Sequence, residues 1–171
     1  MKPLLATLLS LIMIMTTANA QKITGSFAPL RNESRVQMTV DFSKASIMGM
    51  SEEFFSDYEP DWHKDKNEIL FLFNSYVNEA LHGHPIIGNY STGTDYIIQI
   101  IVQAVDFNGN YDYDILLFSN FDNTPSLIAQ AEGFYSRGGK FGTKLNLMKD
   151  GAKHSGTTIG LFLQKELFKR Y

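Results

Sequence analysis

The pair Asn108-Gly109 lies between two stretches of alternating character, and this arrangement limits what the chain can fold into more than any other feature. Before the pair, Tyr96, Ile98, Ile100, Val102 and Ala104 share one face, while Gln99 and Gln103 mark the other. After it, Tyr111, Tyr113, Ile115 and Leu117 oppose Asp112 and Asp114. Successive side chains of a strand point to opposite faces of a sheet, so both stretches read as strands with one buried face. Asn-Gly takes left-handed backbone angles readily, which predicts a two-residue hairpin turn and an antiparallel pair. A third strand is expected from Leu127 to Tyr135, after a turn from Asn120 to Ser126 that contains Pro125. Its Ala129, Ala131 and Gly133 are small on one face, which invites a helix to approach.

Upstream, Val36, Met38, Val40 and Phe42 alternate with Gln37, Thr39 and Asp41 and predict another strand. Ile23 to Phe27 reads as a shorter one, and Pro29 with Arg31-Asn32-Glu33-Ser34 reads as a turn that would join the two as a hairpin. Ser51 is placed to cap a helix carrying Glu52 and Glu53 in its first turn, and Pro60 suits the start of a longer helix. In that longer stretch Ile69, Leu70, Phe73, Val77, Ala80 and Leu81 recur at three and four residues, and Gly83 ends it. A last helix spans about Lys144 to Lys169, with Leu145, Met148, Ala152, Ile159, Phe162, Leu163 and Leu167 near one stripe. Gly151, Gly156 and Gly160 each weaken a helix by roughly 1 kcal/mol relative to alanine. The helix is therefore either broken near Asp150-Gly151 or packed closely there, with the sheet as the expected contact of Gly156 and Gly160. The expected fold is α+β: a mostly antiparallel sheet of four to five strands with two helical segments packed on one face.

Met1-Lys2, the apolar run Leu4 to Met15 and Ala18-Asn19-Ala20 have the order of a cleavable export signal. The run is shorter than the roughly 20 residues a bilayer span needs. A leader at 1–20 is thus expected, followed by a single domain at 21–171 that is periplasmic or secreted, with no membrane span. Without Lys2 the chain keeps 14 basic residues against 18 acidic, a formal charge of −4. That balance, with no basic run beyond Lys169-Arg170, argues against nucleic acid, which demands a positive footprint. The chain has no cysteine, which excludes disulfides, thiolate catalysis, cysteine-held metals and a lipid anchor through an N-terminal cysteine.

The stretches Val40-Asp41-Phe42-Ser43-Lys44-Ala45, Trp62-His63-Lys64-Asp65-Lys66 and Gly138-Gly139-Lys140-Phe141-Gly142-Thr143, with Leu145-Asn146-Leu147, resemble a group of uncharacterised small secreted and periplasmic proteins of Gram-negative bacteria. The resemblance covers most of the chain after the leader, names no chemistry and carries over no functional residue. In element order alone the chain is also similar to α+β domains of periplasmic accessory proteins of the envelope. Fold-level likeness of that kind says little about function.

The segment Ser136 to Lys144 is the leading candidate site. Flexible glycines, the cations Arg137, Lys140 and Lys144, and a following helix N-terminus together suit an anion, with Arg137, Gly138, Gly139, Lys140 and Lys144 as the binding set. It is not a Walker loop, because Thr143 stands between Gly142 and Lys144. The competing reading is a tight strand-to-helix connection with Phe141 plugging the core. His82-Gly83-His84 offers two imidazoles, but two ligands do not make a metal site, and a solvated loop outweighs it. Asp95, Asp106, Asp112 and Asp114 would suit a glycosidase only if two of them stood about 5 to 10 Å apart; acids beside turns more often serve solubility. Phe54, Phe55, Tyr58 and Trp62 read either as a sugar platform or as a helix anchor, the anchor being preferred. Asn32-Glu33-Ser34 and Asn89-Tyr90-Ser91 match a glycosylation acceptor that has meaning only in a eukaryotic secretory route. No catalytic residue, metal or cofactor is expected. The leading reading is a non-enzymatic binding or accessory protein of the envelope, whose partner is an envelope protein or a small anionic ligand. A small hydrolase or carbohydrate-active enzyme built on the hairpin aspartates, and a binder of anionic or lipidic ligands, stand as alternatives.

Overall fold

A computed structural model describes residues 21–90, 93–121 and 124–169; the expected leader at 1–20, and with it Lys2, lies outside them. The strands are β1 (Lys22–Gly25), β2 (Arg35–Asp41), β3 (Ser46–Ile47), β4 (Ile86–Gly88), β5 (Tyr96–Val105), β6 (Tyr111–Ser119) and β7 (Ser126–Ser136). The helices are α1 (Glu52–Tyr58), α2 (Trp62–Ala80) and α3 (Lys144–Leu167). The α+β class is as expected, but the sheet is larger and more mixed than the sequence suggested. Its seven strands run in the order β1-β7-β6-β5-β2-β4, with β3 also paired to β5. β1, β7, β6 and β5 are joined antiparallel, whereas β2 lies parallel to both β4 and β5, and β3 parallel to β5. The parallel pairs follow from the intervening α1 and α2, because parallel neighbours need a long crossover that a hairpin cannot supply.

The expected hairpin between the first two strands does not form. β1 pairs with β7 instead, Ile23 standing opposite Ala131. A 3-10 turn at Ala28–Asn32, with Pro29 in its first positions, carries Leu30 into the core. Phe27 is buried there too, its ring edge-on to Phe162 at 5.1 Å. These anchors turn the chain away before β2 begins. The β5–β6 hairpin does form, but over residues 106–110 rather than a two-residue turn. Asp106 Oδ1 accepts from the backbone N–H of Asn108 (2.8 Å) and Asn110 (3.0 Å), and only Gly109 adopts a left-handed φ, +71°. Three bulges interrupt the ladders, and two of them shift the alternation that the sequence suggests. One between Val102 and Ala104 turns Val105 inward, and one opposite Asp114 leaves Gly133 exposed with φ +80° and buries Phe134. Gly133 therefore does not share the inner face of Ala129 and Ala131.

Ser51 caps α1 as expected, its Oγ accepting from the N–H of Phe54. Pro60 precedes α2 by two residues, and Trp62 opens the helix fully buried. α2 and α3 lie side by side over the sheet face formed by Val36, Met38, Ile98, Ile100, Val102, Tyr113, Ile115 and Leu117. α3 is unbroken through its glycines. A Cβ on Gly156 would stand 2.7 Å from the Phe73 carbonyl oxygen, and one on Gly160 2.6 Å from Ala80 Cβ. Their contact is therefore α2, not the sheet. Gly151 meets the β5–β6 turn, where a Cβ would lie 2.0 Å from the Gly109 oxygen. At the edge of the sheet, the Asn78 carboxamide accepts from the Ile87 N–H (2.7 Å) and donates to the Ile87 carbonyl (2.8 Å), fastening α2 to β4. No helix among the described residues is long and apolar enough to cross a membrane.

Lys149 ties α3 to α2 through two bonds of 2.6 Å, to Asp65 Oδ1 and Glu68 Oε2. The hydrogen bonds to Asp65 and then Glu68 hold its pKa above the usual lysine value of 10.5. A raised folded-state pKa contributes stability that is complete below the unfolded value and disappears as pH climbs through the folded one. Lys149→Met is expected to lose about 2 kcal/mol at neutral pH, since hydrogen bonds to charged groups contribute about 1.5 to 3. The gap to the parent protein narrows as pH rises past 10.5 and through the raised folded value. Urea midpoints across that range check both statements.

Candidate functional site

The segment 137–143 leaves β7 and enters α3 at the end of the sheet that also holds the β5–β6 turn and α1. Its glycines serve close packing. Gly138 donates its N–H to Asn110 Oδ1 at 2.7 Å, and a Cβ there would lie 1.9 Å from the Asn108 carbonyl oxygen. Gly139 donates to the Leu147 carbonyl at 3.4 Å, and the Arg137 carbonyl accepts from His154 Nδ1 at 2.7 Å. Thr143 Oγ1 caps α3 by accepting from the Asn146 N–H at 3.3 Å. The three cations diverge in role. Lys144 Nζ sits 2.9 Å from the Tyr58 hydroxyl, 4.4 Å above the Tyr58 ring and 3.9 Å from Glu59 Oε1, so it belongs to the contact with α1. Arg137 and Lys140 are exposed and form no salt bridge among the described residues.

Phe141 does not plug the core: it is 89% exposed. At the same end Phe107 is 64% exposed in the β5–β6 turn, and Phe54 and Tyr58, one turn apart on α1, are 68% and 57% exposed. The four aromatics of the proposed platform thus divide. Phe55 and Trp62 are buried anchors, packed edge-to-face at 5.1 Å, while Phe54 and Tyr58 face solvent. Single aromatics among polar neighbours and glycine carry no periodic sequence signal that Phe107 and Phe141 project from adjoining loops.

Beside α1 runs an open groove of about 540 Å³ lined by Glu52, Ser56, Asp57, Trp62, His63 and Lys66, among others. Ser56 Oγ and His63 Nε2 are 3.1 Å apart, a contact across the α1–α2 bend that sequence spacing does not reveal. An activated serine needs its base oriented by a third group. The other ring nitrogen of His63 has no such partner among the described residues. Glu52 is occupied, accepting from Lys66 Nζ at 2.6 Å and Trp62 Nε1 at 3.2 Å.

Of the remaining candidates, Asp106 and Asp112 are near enough for their charges to interact, and Asp95 stands far from both. Asp95 precedes β5 and Asp106 follows it, so ten residues of strand, about 33 Å, separate them. Asp106 is taken up by the turn, and Asp114 accepts from Gln103 Nε2 and the Gly133 N–H. Burial, then the Asp106 charge, raises the Asp112 carboxyl above its usual value; burial, then Asp95, raises Glu33. His82, with φ +55°, and His84 lie in the turn after α2. No cluster of three metal-binding side chains occurs among the described residues. Of the two glycosylation matches, that at Asn89 extends to Ser91, outside the described residues.

No protein-family model matches this chain, and no curated protein matches it by sequence. Among solved structures, a PelC dodecamer from Paraburkholderia phytofirmans, crystallised in space group P6, is similar at a TM-score of 0.48 and 11% identity over 84% of this chain and 96% of that one. A point variant of that dodecamer, in space group C2, gives a TM-score of 0.47 and 13% identity over 84% and 95%.

Proposed function

We propose that residues 21–171 form an exported, non-enzymatic binding or accessory domain of the cell envelope that docks through the end of the sheet bearing Phe54, Tyr58, Phe107 and Phe141. The observation that carries this reading is the exposure of four large aromatics from three adjoining segments, Phe141 most of all. Aromatic side chains left in water at one place mark contact surfaces, because they bury much area at little entropic cost once covered. The export signal supplies the address.

Arg137 and Lys140 support a second element, an anionic group on the partner or ligand, since both exposed cations lie in the same connecting segment as Phe141 and form no salt bridge among the described residues. Affinity capture of the tagged protein from envelope extract separates these elements. The parent protein is expected to recover one partner reproducibly, and Phe54→Ser with Phe141→Ser to lose it. Arg137→Ala with Lys140→Ala loses it only where an anion is recognised. Equal recovery by the parent and both double variants overturns the docking surface, and a calorimetric titration with inorganic phosphate showing no heat overturns a free-anion site.

A further inference from the structure

Away from that end, α2 and the edge strand β4 enclose a second groove of about 430 Å³, within the size range of small-molecule clefts. We propose that it binds a neutral carbohydrate of one or two rings. None of the residues lining it is ionisable, so an anion or a cation entering it meets no counter-charge. Besides Asn78, whose carboxamide is engaged with Ile87, its polar side chains are carboxamides and a hydroxyl: Asn67, Asn74, Ser75 and Asn89. Each offers both a donor and an acceptor, which matches the paired donor and acceptor character of sugar hydroxyls. Phe71, also on the wall, is 67% exposed and presents a ring on which the C–H face of a pyranose stacks.

Two further features favour a ligand over bulk water. Asn78, bonded to both backbone groups of Ile87, fixes the helix against the strand. The groove is thus held open in advance, which lowers the cost of binding. In its lining, Asn74 spends its Nδ2 on the Leu70 carbonyl at 3.0 Å, while its Oδ1 is buried with no hydrogen-bond partner. Terminal amide torsions are broad, so a modest rotation presents that oxygen to a ligand hydroxyl. An apolar chain entering the groove would leave this acceptor unmet, and a nucleic acid would find no cation.

Saturation-transfer and amide-shift NMR with maltose, cellobiose and N,N′-diacetylchitobiose, each up to about 20 mM, test the proposal. At least one sugar is expected to bind with a Kd on the order of 1 mM, shifting the side-chain amides of Asn67, Asn74 and Asn89. Phe71→Ala weakens it about tenfold, the effect of losing a stacked ring, and Phe71→Tyr retains it. Phe71 is exposed, so neither variant threatens the fold. No transfer to any of the three sugars, shifts confined to other surfaces, or affinity unchanged in Phe71→Ala overturns the assignment. Because the aromatic end of the sheet takes no part, loss of envelope partners in the capture experiment leaves this result untouched, and the reverse holds.

Discussion

Replacing Gly156 with valine is expected to lower the unfolding free energy by about 3 kcal/mol, the upper range for overpacking a tight contact. Helix propensity alone points the other way, since glycine is the poorest interior residue after proline. The geometry decides the sign. A Cβ at this position meets the Phe73 carbonyl oxygen at 2.7 Å, Tyr76 Cβ at 2.8 Å and the Val77 nitrogen at 3.3 Å. Two of these are backbone atoms of α2, which cannot rotate aside as a long side chain would. Valine therefore has to push α3 off α2 and loosen the contact that both helices share above the sheet. For a domain of this size the melting temperature falls by roughly 6 to 12 °C. A melting temperature that rises would show that propensity, not close approach, governs α3.

The second large effect is Trp62→Ala, expected to cost about 3 to 5 kcal/mol, as for other buried aromatic truncations. Trp62 sits between Phe42 and Phe55, edge-to-face to both at 5.6 and 5.1 Å, and donates its Nε1–H to Glu52. Removing it takes the anchor from α1 and the first turn of α2 together. Trp62→Phe keeps the aromatic volume in part and should lose less. Because Trp62 is the only tryptophan, its fluorescence follows unfolding in the Gly156 variant, while circular dichroism follows the Trp62 variants. Denaturant midpoints for Trp62→Ala within experimental error of the parent protein would remove the anchoring role.

Local pattern was legible and long-range pairing was not. Alternation in 96–102 and 111–117, the Ser51 cap and the apolar stripes of α2 and α3 depend on neighbours a few residues away, and the structure reproduces them. The partner of β1 depends on where β7 lies more than a hundred residues later. No turn signal encodes that, whereas Pro29 and Arg31-Asn32-Glu33-Ser34 suggested a nearer partner. The parallel placement of β2 beside β5 was readable in principle, because a strand, two helices and a strand make a crossover. Bulges were hidden for another reason: one extra residue reverses the phase of everything after it, so Ala104 and Gly133 were assigned to the inner face that Val105 and Phe134 occupy. In the candidate site, the glycines and cations of 136–144 were visible, but their division of labour was not. Lys144 is drawn to Tyr58 and Gly138 to Asn110 by contacts between segments distant in sequence.

The carboxamide of Asn78 has a consequence for how copies of this chain meet one another. It fills the vacant donor and acceptor of the outermost strand with an imitation of a neighbouring peptide group, so a second molecule cannot extend the sheet on that flank without first evicting it. On the opposite flank β1 is only four residues long and begins with a lysine, a poor template for growth. At high local concentration the chain can therefore keep its ladder closed to fibrillar addition while leaving its loops free to engage other surfaces.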